Sequence, residues 1–119
     1  MQIKSHHINT IKIAEVVSDE VIIKSAQDGL DLLGDIYYQG FDKVIVYEEN
    51  ITPEFFDLKT KIAGDILQKF SNYRVSLAIV GNFEKYPGKS IRDFIFESNT
   101  TKHINFTETL EKALERLGR

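Results

Sequence analysis

The chain has 119 residues, enough to enclose one hydrophobic core and too few to divide between two, since domains cluster around roughly 100 to 150 residues. With 42% hydrophobic and 28% charged residues, no cysteine and a formal net charge of -3, it excludes thiol nucleophiles, disulfides and thiolate metal sites, and it offers no basic stripe for a phosphate backbone. Met1 to Thr10 hold no apolar leader, and the longest nearly unbroken apolar stretch, Val75 to Val80, is far below the ~18 residues that cross a bilayer, so one cytoplasmic domain over residues 1–119 is expected, away from membranes and nucleic acid.

Met1 to His7 and Ile11 to Val17 read as two strands joined at Asn9, a β-hairpin. In the second arm Ile11, Ile13 and Val17 share one face and Lys12, Ala14 and Val16 the other, as expected where both faces become covered. Ser18-Asp19-Glu20 breaks the strand, and Val21 to Ile23 form a short extension. Ser25, three residues ahead of Asp28, resembles a capping box and starts a first helix. Its inward stripe is Ala26, Leu30, Leu33 and Tyr37, and Gly40 stands where a left-handed C-terminal cap is wanted.

Lys43 to Tyr47 is a compact β-branched run, the mark of a buried strand. A second helix is signalled by Thr52 as N-cap, Pro53 at the first helical position and Glu54 in the first turn, with Phe55, Leu58, Ile62, Ala63, Ile66, Leu67 and Phe70 on one face. Ser71 to Tyr73 ends it, and Arg74 to Val80 is a central strand stopping at Gly81. Ser90 caps a third helix from about Ile91 to Ser98, with Ile91, Phe94 and Ile95 inward. After a turn at Asn99 to Lys102 come a short strand, His103 to Phe106, and a fourth helix capped by Thr107. Leu110, Ala113, Leu114 and Leu117 make its inner face, with Glu108 to Lys112 and Glu115 to Arg119 as solvated i,i+4 pairs. The order ββαβαβαβα defines an α/β single domain, a mixed sheet of about five strands with four helices, its later strands parallel through right-handed crossovers.

Thr52-Pro-Glu-Phe-Phe-Asp-Leu-Lys59, Leu67-Gln-Lys-Phe-Ser-Asn-Tyr-Arg74, Leu77-Ala-Ile-Val-Gly81 and Ser90-Ile-Arg-Asp-Phe94 resemble a bacterial family described as domain of unknown function 4180, across essentially the whole chain. That resemblance implies no activity. The element order is also similar to that of STAS domains, the anti-sigma-factor antagonist class, which are generally protein-binding modules. In those antagonists the turn before the second helix carries a regulatory Ser or Thr, which the resemblance places at Thr52. Pro53 follows it instead of a Ser-Gly-like sequence, and Glu48, Glu49 and Glu54 crowd it, a departure that argues against control by phosphorylation.

Four carboxylates, Glu48, Glu49, Glu54 and Asp57, surround the end of the third strand, where an open parallel sheet tends to place ligands. They could hold a hard cation or supply an acid and a base, but acids at a helix N-terminus equally serve to offset its partial positive charge. Gly88-Lys89-Ser90 sits between strand and helix as a phosphate loop does, yet the preceding Gly of a Walker A loop would have to stand at Phe83, and Pro87 removes an amide. His6 and His7 point to opposite faces of a strand and cannot share a metal. His103 opens a strand, at the end away from the usual ligand crevice. Phe83 and Tyr86 on a polar loop are interface candidates, or aromatics folded back over the core edge, and Asn82, Arg92, Asp93 and Glu97 line the same rim, Arg92 and Asp93 as a possible solvated pair.

No cofactor or metal is called for by these patterns. The expectation is a non-enzymatic protein- or ligand-binding regulatory module using Glu49, Thr52, Glu54, Asp57, Asn82, Phe83, Tyr86 and Arg92. The alternative is a small metal- or acid/base-dependent enzyme using the Glu48 to Asp57 carboxylates. A protein partner and a twofold homodimer are the expected assemblies.

Overall fold

Residues 1–118 are described by the structure, a computed structural model, so the expected Glu115 to Arg119 pair lies outside the described residues. One sheet runs in the order β1 (Gln2–Ile8), β2 (Ile11–Val17), β3 (Lys43–Tyr47), β4 (Ser76–Val80) and β5 (Ile104–Thr107). β1 and β2 pair antiparallel from Gln2↔Val17 to Ile8↔Ile11, turning through Asn9 at φ 56, a conformation Asn accepts more readily than most residues. All other neighbours are parallel, so the sheet is mixed as expected. The helices are α1 (Ala26–Tyr38), α2 (Ile62–Asn72), α3 (Lys89–Thr101) and α4 (Leu110–Leu117), and none is long and apolar enough to cross a membrane.

From β2 onward each strand is added beside the one before it, and crossovers of one hand then place every connecting helix on the same face. Alternate strand residues divide accordingly. Ala14, Val16, Val44, Val46, Leu77 and Ile79 join the core beneath α1, α2 and α3. Ile13, Ile45, Ala78 and Val80 face the other way, against Ala113 and Leu117 of α4. Buried Asn105 fastens α4 to the sheet edge: its amide donates to the Leu77 and Lys102 carbonyls, and its oxygen accepts from Arg116 Nε at 2.7 Å.

α1 starts as the sequence indicates, with Ser25 Oγ accepting from the Asp28 N–H and Asp28 accepting from the Lys24 N–H. It ends in a Schellman closure, Gly40 at φ 83 and the Phe41 N–H on the Ile36 carbonyl. Its buried stripe is Gly29, Leu32, Leu33 and Ile36 rather than the expected Ala26, Leu30, Leu33 and Tyr37. Gly29 explains the rotation. A Cβ there would lie 2.6 Å from Ile66 Cδ1, so α1 meets α2 through a residue that no count of apolar side chains selects.

The second helix departs more. Thr52 caps only a 3-10 turn, Pro53–Phe56, through Oγ1 and the Glu54 N–H at 3.4 Å, and a second turn, Leu58–Thr60, follows before α2 begins. Asp57 accepts from the Lys59 N–H, Thr60 donates to the Glu54 and Asp57 carbonyls, and Lys61 adopts a left-handed φ of 66, all of which divert backbone groups from a helical ladder. The break lets both Phe55 and Phe56 reach the core. Ser90 does not cap α3, which begins one residue earlier behind Gly88 at φ 108 and runs through the expected turn to Thr101. Thr107 lies buried in β5, and Thr109 caps α4 by accepting from the Lys112 N–H.

Leu67, Ile66 and Phe70 keep the inward face expected of them. Leu67→Ala should cost about 2 to 5 kcal/mol by opening a core cavity. Thr52→Ala, which uncaps only a short turn, should cost about 0.5 kcal/mol or less, at the low end for a cap. Urea melts that reverse this ranking would show α2 to be anchored from its N-terminal side.

Candidate functional site

After β4 the chain crosses to the face carrying α3, and after β5 to the face carrying α4. Adjacent parallel strands whose exits diverge leave a crevice beyond their carboxyl ends, the usual ligand position of such sheets. A cleft of about 660 Å³ lies there, with Phe83, Ile95 and Phe106 as its apolar wall and Asn82, Glu84 and Glu108 at its mouth. A second cleft of about 540 Å³ separates the Pro53–Lys59 segment from the start of α3, lined among others by Phe56, Asp57, Lys59, Tyr86 and Lys89.

The loop between these clefts is held from beneath. Glu48, the first residue after β3, is buried, and its carboxylate accepts a short hydrogen bond from the Tyr86 hydroxyl and an ion pair from Lys85 Nζ at 2.9 Å. Burial first, then the bond to Glu48 and its charge, push the Tyr86 phenol well above its ordinary pKa, so it stays a donor. The Tyr86 ring stacks on Phe56 with centroids 4.2 Å apart, and Phe83 meets Phe106 edge to face at 5.2 Å. Gly81 is required beneath this lock, because a Cβ would stand 2.3 Å from Glu48 Cβ.

Of the residues singled out in the sequence, Thr52, Phe83 and Tyr86 are half-buried, and Glu49, Glu54, Asp57, Asn82 and Arg92 are exposed. Phe83 and Tyr86 are the folded-back aromatics of the two readings given above. The four carboxylates do not act as one group: Glu48 is turned down onto Tyr86 and Lys85, and Asp57 accepts from the Lys59 amide. Among the described residues no group of three or more His, Asp or Glu could hold a metal ion. Asp93 pairs with Lys89 at 2.5 Å, so Arg92 and Asp93 are not a pair.

Sequence reasoning missed a second polar cluster, on the α4 face. Glu15 of β2 is only 5% exposed, and its carboxylate bonds to His6 Nε2 at 2.8 Å and accepts from the Tyr47 hydroxyl at 2.6 Å. Burial alone would raise the Glu15 carboxyl, but the bonds to Tyr47 and His6, with the charges of His6 and Lys4, outweigh it and hold the group below its ordinary value. A signal was present: an acid sharing a strand face with Ile11 and Ile13 must find partners, and the hairpin register puts His6 on the same face of the adjacent strand. His103, placed just ahead of β5, bonds to Ser76 at 3.3 Å through Nδ1. Burial, more than the opposing Phe70 carbonyl, lowers its pKa.

A single domain built on a mainly parallel five-stranded sheet, three helices on one face and one on the other, is the class of protein these features define. The chain belongs to the family described as Domain of unknown function (DUF4180), whose model matches residues 8–117. No curated protein and no solved structure gave a significant match.

Removing the hydroxyl in Tyr86→Phe leaves buried Glu48 short of a donor and should cost about 1 to 3 kcal/mol, with faster amide exchange across residues 82–88. Unchanged exchange there would mean the loop is held by its aromatic contacts alone. For Glu15 the folded pKa is depressed, so its stabilisation is present above the unfolded value near 4.5 and is lost as pH falls through the lower folded value. Urea melts from about pH 6 to about pH 3 should show a steeper loss for the native chain than for Glu15→Gln. Parallel losses would remove this cluster from the acid response.

Proposed function

We propose that the chain is a non-enzymatic cytoplasmic binding module that grips a protein or small ligand on the rim formed by residues 48–57 and 81–90. The observation that carries this reading is the Tyr86 to Glu48 hydrogen bond, reinforced by the Phe56–Tyr86 stack, which ties two loops from different crossovers into one edge between two open clefts. A pre-formed edge binds without the cost of ordering its loops, which is what recognition at a loop surface needs. Glu49, Glu54, Asp57 and Asn82 on the loops and Arg92 in the first turn of α3 are exposed and able to meet a partner, and Phe83 forms part of a cleft wall. Both signs of charge on the rim suit a protein surface better than a polyanion. The STAS-like element order read from the sequence agrees in kind, since those domains are generally protein-binding modules.

Capture from a cell extract on the immobilised chain, repeated with Asn82→Ala and Arg92→Glu, should show a partner whose binding falls at least about tenfold in the variants, the effect of losing ~1.4 kcal/mol. The melting temperature should not move in Arg92→Glu, whose side chain is exposed, and should fall slightly in Asn82→Ala, because Asn82 Oδ1 accepts from the Glu84 N–H at 3.1 Å. Full retention of every captured protein would count against the rim. A thermal-shift screen with divalent cations and nucleotides covers small ligands, since one at 100 times its Kd adds ~2.7 kcal/mol. Turnover of a metal- or phosphate-containing substrate that Glu54→Gln or Asp57→Asn abolishes would replace the module by an acid/base enzyme.

A further inference from the structure

The rotation of α1 leaves an apolar stripe unused. Intramolecular packing takes Gly29, Leu32, Leu33 and Ile36, yet Leu30, Gly34 and Tyr38 form a second line along the helix at i, i+4 and i+8, flanked by Tyr37. Tyr38 is 92% exposed, Tyr37 55% and the adjacent Tyr73 50%, with the Tyr37 and Tyr73 rings edge to face at 5.3 Å. Beside them, between α1 and α2, lies a hollow of about 190 Å³ lined by Leu30, Leu33, Gly34, Lys69 and Tyr73. It stays open at Gly34, where nothing stands within 4 Å of the position a Cβ would take.

A protruding ring and an apolar hollow therefore sit side by side on one surface, the self-complementary shape that a twofold contact requires. Charges flank the hollow: α1 carries Asp31 and Asp35, and α2 carries Lys69 at the hollow with Asp65 one turn before it. A twofold axis running along the helices lays α1 of one copy across α2 of the other and sets the acids of each against Lys69 of its mate. We propose that the chain forms a homodimer of this kind through α1 and α2, Tyr38 of each copy seated in the hollow of the other. Tyrosine suits the role, since it buries a large ring at the cost of few rotatable bonds and is enriched among residues that dominate interfaces.

Sedimentation of the full chain should show a concentration-dependent monomer–dimer equilibrium in the micromolar range. Tyr38→Ala should weaken it at least about 30-fold, the equivalent of roughly 2 kcal/mol for a dominant interface residue. Asp35→Lys and Lys69→Asp should each weaken it, and the two together should recover most of the loss. All three side chains are exposed, so circular dichroism should report the fold unchanged. A native chain that stays monomeric overturns the proposal. So does a dimer indifferent to Tyr38→Ala, or a double charge reversal that fails to recover association.

Discussion

Because each parallel strand is laid beside its predecessor, three helices must share one face of the sheet while a single eight-residue helix serves the other. The sheet is five strands wide, and α4 packs chiefly along β4 and β5. The far side of that face has to be finished by side chains. Glu15, His6 and Tyr47 do this on β2, β1 and β3, joining three strands through one carboxylate. Lys43 ties the two regions by donating to the Leu117 carbonyl at the end of α4, where a cation also opposes the helix dipole. A polar cluster under partial cover is thus a consequence of strand order, and no catalytic purpose is needed to explain it.

The same constraint fixes where the rim must lie. With no reversal of strand order among β2 to β5, the exits of the described strands diverge between β4 and β5, and residues 81–88 carry the chain from β4 to α3. A loop of that length over an apolar sheet end would ordinarily be mobile. Here it is anchored to Glu48, which leaves the neighbouring strand, through a tyrosine and a lysine and with Gly81 clearing the space. Burying that carboxylate is tolerable because both a phenol and an ammonium reach it.

Features written into consecutive residues were legible in the sequence. The Asn9 turn, the Ser25 and Asp28 cap, the Gly40 terminus and the two-faced burial of β2 all follow from local chemistry, and the α/β order followed from them. What failed depended on atoms far along the chain. Thr52-Pro53-Glu54 announces a helical start, but the turn is ended by the side chains of Asp57 and Thr60 before α2 can inherit it. Glu48 reads as one more acid in an acidic lip, because its partner Tyr86 stands 38 positions away. The buried face of α1 departs from its apolar spacing because Gly29, counted as neither apolar nor polar, lies against Ile66 of α2 with no room for a Cβ.

Helices and parallel strands run in opposite directions in these crossovers, so the exposed tyrosines at the C-terminal ends of α1 and α2 lie at the end of the molecule away from the rim. A dimer joined there covers nothing that the rim needs. An axis parallel to the helices also keeps both rims at the same end of the pair. A partner carrying two copies of a recognised segment would then bind the second at the effective concentration set by their spacing, so a weak grip on each rim becomes a firm one with no further contact. The open clefts beside a stiff edge have the geometry for such repeated, individually modest recognition, and pairing of the chains would add to the affinity of a single rim.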